Sequence, residues 1–495
     1  MGASWIGLRA MTRPRPSALG ALLLSLALPA QLAGCMSVPE YQRPDAPVPT
    51  AWREGEPEER FVPAAAGENA LTFPPVAWWE VFGDPELERL IAEAERGNHD
   101  LEAAASRVVQ AEARARAAAA GLYPSLGGST SGSSGGQAGS GLEPSYRAGL
   151  EAGYEVDFWS RDRAAADSAG ATVEASRFDR EVVALSLTAD VASIYFQHRA
   201  LSDRLESARR QLAIARSVLE LVEAQAAWGA VSELRVAQQR SALASLEATL
   251  PTLGRQRGEA EHALAVLLGL PPGQIELPPG SLGAVDVPSI DPGLPAELLT
   301  RRPDIRRAEA DLVAANADLH AARAALFPSI RLTGATGFAS AALSSLLDVG
   351  GSIYDLVSGL TAPIFDAGRL EAQRDLAGAR QEELVHRYRA IVIGAFRDVE
   401  DALAAARYLG ETEAAQSEAL AQARTAYELA EVQYRAGAVD FLTVLDAQRT
   451  LFQAEDALLQ TRLARLDAAI ALFKALGGGW GEPAPQPEGA SLMDA

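Results

Sequence analysis

The chain has 495 residues, of which 65 are acidic and 44 basic, and its formal charge of −21 argues against a polyanion partner. Nucleic-acid binding needs clustered basic residues, and no such cluster occurs. Hydrophobic residues make up 48% but aromatics only 6%, a profile of long Ala/Leu/Glu/Arg helices rather than one thick globular core. The acidity fits a solvated surface or an acidic lumen equally well.

Arg13 and Arg15 precede an apolar run from Ala18 to Leu32, which closes on Leu32-Ala33-Gly34-Cys35. A short basic region, a short apolar stretch and small residues before the cut describe a secretory signal over 1–34. Met11 is an alternative start, because the basic region begins just after it. The ending resembles a bacterial lipobox, in which Cys35 becomes the lipidated mature terminus. Met36 follows it where Asp does not, which by analogy with bacterial lipoproteins favours the outer membrane. As the single cysteine, Cys35 excludes an intramolecular disulfide and a cysteine-rich metal site. Beyond the signal no run reaches the roughly 18 apolar residues of a spanning helix, so any membrane crossing must be made of strands.

Residues 35–84 form an anchored N-terminal segment. Asp84-Pro85-Glu86-Leu87-Glu88 is a helix start: an N-cap, Pro in the first turn, then acids favoured by the helix dipole. This helix is expected to run to about Leu122 and stop before Pro124. The nearly pure Gly/Ser run from Gly127 to Gly141 reads as an exposed flexible loop. The period then becomes two. Tyr146, Ala148, Leu150, Ala152, Tyr154, Val156 and Phe158 alternate with mostly polar residues or Gly. In water this is an amphipathic strand on a core; its length also suits a tilted membrane strand of about 9–11 residues with extensions.

After Arg161 a helix of roughly 65 residues is expected, about 100 Å at 1.5 Å per residue. Leu205, Ala208, Leu212, Ala215, Leu219, Val222 and Ala226 line its later part at alternating spacings of three and four, a coiled-coil seam. Gly229 breaks the helix. Leu243, Leu246, Leu250, Leu253, Ala260, Leu264 and Leu267 continue the register, interrupted by Arg257, so the two arms pack as a hairpin. Pro271, Pro272, Pro278 and Pro279 mark a linker, 271–294.

The chain then repeats itself at offsets of 204 to 208, as between residues 122 and 326 or 229 and 437. Leu122-Tyr123-Pro124-Ser125-Leu126 returns as Leu326-Phe327-Pro328-Ser329-Ile330, and Gly229-Ala230-Val231 as Gly437-Ala438-Val439. Solenoid periods are about 20–50 residues, so this is a duplicated half-molecule with copies at 85–270 and 295–479. Weaker alternations run from Ile330 to Phe338 and from Tyr354 to Ala362. The second hairpin carries Leu420, Ala423, Tyr427, Ala430 and Tyr434 on one arm and Leu442, Leu445, Phe452, Leu459, Leu463, Leu466, Ile470 and Phe473 on the other. These stripes are architecture, not a ligand site. The tail, 480–495, has a disordered composition.

Four long strands cannot close a barrel, which needs about eight, and an open edge in lipid is very costly. The chain must therefore oligomerise about an axis, and three protomers supply twelve strands.

At these residues the chain resembles an outer-membrane efflux protein of the TolC/OprM type, in its NodT-like lipoprotein branch. The likeness lies in Cys35 with Val38-Pro39-Glu40-Tyr41-Gln42-Arg43-Pro44 and Trp52, and in Trp78-Trp79-Glu80-Val81-Phe82-Gly83-Asp84-Pro85. It continues through Arg301-Arg302-Pro303-Asp304-Ile305-Arg306, Phe365-Asp366-Ala367-Gly368-Arg369 and Val444-Leu445-Asp446-Ala447-Gln448-Arg449. The resemblance implies a mainly α fold with a membrane β-barrel part: a long helical coiled-coil tunnel, and four strands per protomer in a homotrimeric twelve-stranded barrel. It implies a periplasmic adaptor and an inner-membrane pump as partners, outer-membrane lipid around the barrel, and export of drugs, metals or other small compounds. The hairpin tips, Gly229, Ala230, Val231, Gly437, Ala438 and Val439, would meet the adaptor. Asp446 falls at a constriction aspartate, with Thr443 where some members carry a second acid, so a single acidic ring is expected. Arg462 matches a basic position that can join the constriction network, and Arg235 stands where some members have an acid.

No enzyme is indicated. His99, His198, His262, His320 and His386 fall on separate expected helices without metal-ligand spacing, so no metal or cofactor is expected. Gly132-Ser133-Ser134-Gly135-Gly136 formally fits G-x-S-x-G but sits in a Gly/Ser run, not at a strand-to-helix turn. A coiled-coil structural or adhesive lipoprotein is the rival reading; it explains the helices but not the period-two strands.

Overall fold

A computed structural model describes residues 41–53, 77–135, 143–290 and 292–478. The signal, Cys35 and the tail lie outside them. The described chain falls into two compact units, one holding 112–171 and 312–383, the other 43–111, 172–311 and 384–478. Among the described residues no helix is long and apolar enough to cross a membrane.

The first unit is organised by a four-stranded antiparallel meander, β1 (Ser125–Gly135), β2 (Glu143–Val156), β3 (Ser329–Ser340) and β4 (Ser352–Thr361), in that order. The Gly/Ser run expected as a loop is strand β1 over its first part, paired residue for residue with β2 from Ser125↔Gly153 to Gly135↔Glu143. Side chains this small display no alternation, so the pairing is set by the strongly patterned β2 and not by β1 itself. Residues 136–142 lie outside the description. β1 and β4 are the edges, and both are exposed along their whole length. Trp159 stacks on Phe327 at 4.6 Å between ring centres and donates through Nε1 to the Pro328 carbonyl at 2.8 Å. These contacts tie the end of the first strand pair to the start of the second.

The second unit is helical, and the helical residues 112–119, 161–171, 312–324 and 369–383 belong to the first. One helix was expected from Pro85 to about Leu122; two form, α1 (Pro85–Gly97) and α2 (His99–Ala119), followed by a 3₁₀ turn. Asn98 makes the break, its Oδ1 accepting from the Asp100 and Leu101 amides at 2.9 Å each and its Nδ2 donating to Leu267 O at 2.9 Å. Asp84 caps α1 through the Glu86 and Leu87 amides and also accepts from the Tyr195 hydroxyl at 2.9 Å. Two 67-residue helices, α3 (Arg161–Ala227) and α6 (Arg369–Arg435), are each followed by a 35-residue arm, α4 (Glu233–Leu267) and α7 (Phe441–Ala475). Helix α5 (Pro303–Ala324) opens the second copy.

The main core gathers Trp78, Phe82, Leu87, Leu90 and Ile91 against Tyr195 and Phe196 of α3, Leu264 of α4 and Phe473 of α7. The proline-marked linker docks on this core: Leu282 and Val285 are buried in it, and Asp203 accepts from the Leu282 amide at 2.8 Å. The segment after Tyr41 is held likewise, by an Arg43–Glu309 ion pair at 2.6 Å and by Trp52 Nε1 donating to Gly293 O at 2.8 Å.

Burial pushes Glu181, on α3, up to about 7, partly offset by Arg306 and Arg180, and its Oε2 has no hydrogen-bond partner. The folded value lies above the unfolded one, so ionising Glu181 costs nothing below about pH 4.5 and destabilises increasingly as pH rises to about 7. Glu181→Gln is therefore expected to melt higher than the parent at pH 8, with the gap closing at pH 5. A gap of equal size at both values would contradict the assignment.

Candidate functional site

The two hairpin turns are built alike. Helix α3 ends on Gly229, at φ +72°, whose amide donates to Ala226 O at 2.9 Å while the Ala230 amide donates to Gln225 O at 2.9 Å. Helix α6 ends on Gly437, also at φ +72°, with Gly437 donating to Tyr434 O and Ala438 to Gln433 O, both at 2.9 Å. Both are Schellman ends, in which a left-handed glycine lets the chain reverse while satisfying the last carbonyls. Beside the turns, Val222 and Val236 of the first hairpin are buried with Ala430, Phe441 and Val444 of the second, with Val231 packed on them. The Tyr434 hydroxyl donates to Gln225 Oε1 at 3.1 Å, so the two hairpins are joined by a polar bond as well as by apolar burial.

The copies part after the turn. Ser232 makes no side-chain cap on α4, whereas Asp440 caps α7, accepting from the Thr443 amide at 3.0 Å and the Thr443 hydroxyl at 2.8 Å. The Thr443 hydroxyl and amide hold the Asp440 carboxyl below the usual carboxylate range, and Arg235 of the first hairpin adds a smaller pull in the same direction. Thr443, at the position where the resemblance allows a second acid, is thus committed to the cap. Asp446 lies one turn further on and is exposed; Arg449, three residues on, forms an ion pair with it.

Arg462 lies elsewhere. It is sixteen residues beyond Asp446 on α7, about 24 Å along the axis, and it donates to Gly283 O at 3.0 Å and Val285 O at 3.1 Å. In this chain it fastens the linker. The structure therefore brings together the six turn residues, Thr443 and Asp446, and leaves Arg462 outside that group. Sequence reasoning missed Asp440 and Arg449. The capping spacing Asp440-x-x-Thr443 and the i,i+3 spacing of Asp446 and Arg449 were both available as signals.

Further from the turns, helix α7 is pinned to α3. Ser207 donates to Glu455 Oε2 at 2.8 Å, Arg204 Nε to Asp456 Oδ1 at 2.6 Å, and Ser193 to Asp467 Oδ1 at 2.7 Å. Among the described residues no group of three or more His, Cys, Asp or Glu is placed to hold a metal.

The chain combines two long helical hairpins, one in each copy, with a four-stranded antiparallel meander whose two edges are exposed. The family model for outer membrane efflux proteins matches residues 90–270 and 294–478, and the chain belongs to that family. Its boundaries fall on the two copies. The chain is 41% identical to the pyoverdine export outer membrane protein OpmQ of Pseudomonas putida, across 96% of this chain and all of that one. It is 35% identical to the cation efflux system protein CusC of Escherichia coli, across 92% of this chain and 98% of that one. The open-state structure of the Neisseria gonorrhoeae MtrE outer membrane channel superposes with a TM-score of 0.82 at 32% identity, covering 90% of this chain and 98% of that one. The protein is an efflux channel component of the outer membrane.

Proposed function

We propose that the protein is the outer-membrane exit duct of a tripartite efflux system, in which three copies close a twelve-stranded barrel and join six hairpins in a periplasmic tunnel. The observation that carries this is the sheet: four strands with both edges open. In lipid each unpaired backbone group costs several kcal/mol, so closure by further copies is the low-energy solution. Cys35 would anchor each mature terminus in the membrane. The turns at Gly229 and Gly437 meet a periplasmic adaptor, which links the duct to an inner-membrane pump, and the pump selects the small compounds exported. Asp446 forms the single acidic ring of a periplasmic gate. Arg449 beside it makes that ring a set of charge pairs rather than bare carboxylates.

Purified protein is expected to migrate as a heat-dissociable trimer on SDS gels and to conduct ions in planar bilayers. Asp446→Ala leaves three unpaired Arg449 side chains near one axis, so cation preference should fall away or turn anionic, and sensitivity to divalent cations should vanish. Unchanged cation preference together with unchanged divalent sensitivity would sink the ring. Absence of any conductance from the parent trimer would remove the duct itself.

A further inference from the structure

Just beyond the apolar cluster at the turns, residues of α3, α4, α6 and α7 line an open cleft of about 1000 Å³. Its lining includes the small residues Ala423, Ala426 and Ala430 of α6, Leu246 of α4 and Gln448 of α7. Such a volume is at the upper end for sites that hold drug-sized molecules. Small side chains alone would indicate nothing more than a gap between helices. Gln448 supplies the second observation: it is only 7% exposed, and its Nε2 has no hydrogen-bond partner. A buried amide nitrogen left without a partner is costly; as placed it has almost no accessible surface, so an acceptor in the cleft meets it once the amide turns. The terminal torsion of Gln is broad, so the amide can swing to meet an acceptor at little expense.

Charge narrows the class. The charged residues in the lining are Asp440, Asp446 and Arg449, which sum to one negative charge, and Asp440 is held ionised by its cap, with Arg235 near it. A carboxylate or phosphate would be repelled there. A neutral carbonyl would accept the Gln448 hydrogen bond without that penalty, while the alanine and leucine wall takes an apolar body.

We propose that this cleft binds uncharged, largely apolar organic molecules that carry a carbonyl acceptor, with Gln448 as the donor that orients them. The inference goes beyond the duct reading. It rests on that reading only in making such molecules cargo, and binding can be measured apart from conductance.

Benzophenone is a suitable probe, being uncharged, with one ketone and a photochemistry that joins it to nearby C–H groups. Full-length protein in detergent is irradiated with it, and tryptic peptides are mapped by mass spectrometry. Adducts are expected in peptides 241–255 and 436–449, which cover the α4 and α7 walls. Ala426→Trp, which puts an indole into the cleft, should lower their yield several-fold, and so should Gln448→Leu. Benzanilide, which has a carbonyl, should compete at concentrations at least tenfold below diphenylmethane, which has the shape but no acceptor. Gln448→Leu removes an unsatisfied group, so the variant keeps its fold and the test stands even where Ala426→Trp misfolds. No adducts in these peptides of the parent, or yields unchanged in Gln448→Leu, would overturn the proposal. Equal potency of the two competitors would overturn the role of the amide. A parent that labels but does not conduct would leave the cleft intact and count against the duct.

Discussion

Gly269→Ala is expected to destabilise the protein by about 3–4 kcal/mol. Gly269 closes α4 at φ +73°, a left-handed conformation that costs a residue with a Cβ about 1–2 kcal/mol. The added methyl would also lie 2.1 Å from the Gly97 carbonyl oxygen, and a methyl on Gly97 would lie 2.5 Å from Leu268 O. Both obstacles are backbone, at the point where Asn98 ties the α1–α2 break to Leu267, so neither can swing aside. Overpacking of that kind costs about 1–3 kcal/mol. Gly254→Ala is the control, because a methyl there meets nothing within 4 Å and the site is inside α4. It should gain about 0.5–1 kcal/mol from helix propensity. Thermal unfolding followed by circular dichroism would separate the two, and a Gly269→Ala variant melting with the parent would refute the backbone contact.

Glu455→Ala is expected to loosen the second hairpin from the first without unfolding either. Glu455 accepts from Ser207 at 2.8 Å and lies 3.6 Å from Arg424, with its side chain largely buried. Removing it leaves a buried hydroxyl and a neighbouring guanidinium without their acceptor, a loss of about 2–3 kcal/mol. Amide hydrogen exchange should quicken along α7 from the turn to Glu455, while the main core around Phe473 stays protected. Uniform exchange, matching the parent, would count against this tie. The repeat sharpens the point. Residue 247 of the first copy is 208 positions before 455 and is also Glu, and Glu247 pairs with Arg216 inside its own hairpin at 2.9 Å. The internal pair recurs in the second copy as Glu455 with Arg424, and Glu455 adds to it the bond to Ser207 of the neighbouring hairpin.

Much of this was legible in the residues. The three-four seam of α3 is buried at Leu205, Ala208, Leu212, Ala215 and Val222. The Gly229 and Gly437 turns stand where the repeat aligns them, because only a residue without a Cβ reverses the chain there cheaply. The Gly/Ser strand was not legible, since β1 takes its register from β2. The break at Asn98 was hidden inside a pattern that reads as one helix. Arg462 was assigned by likeness of position, yet its guanidinium reaches the linker carbonyls, a contact between residues about 180 positions apart that no local pattern encodes.

The amino-acid sequence by itself determined the duplication, the long helices, the hairpin turns and the likeness to an efflux family. Each of these is a periodic or local signal repeated over many residues. Only the tertiary structure decided that Asp446 is paired with Arg449, that Thr443 serves the Asp440 cap, and that α7 is pinned to α3 through Glu455. It also placed Gln448, an amide without a partner, beside an open cleft. Side-chain partnership depends on which rotamer each residue takes and on what the neighbouring helix presents to it, and spacing along one chain does not carry that information.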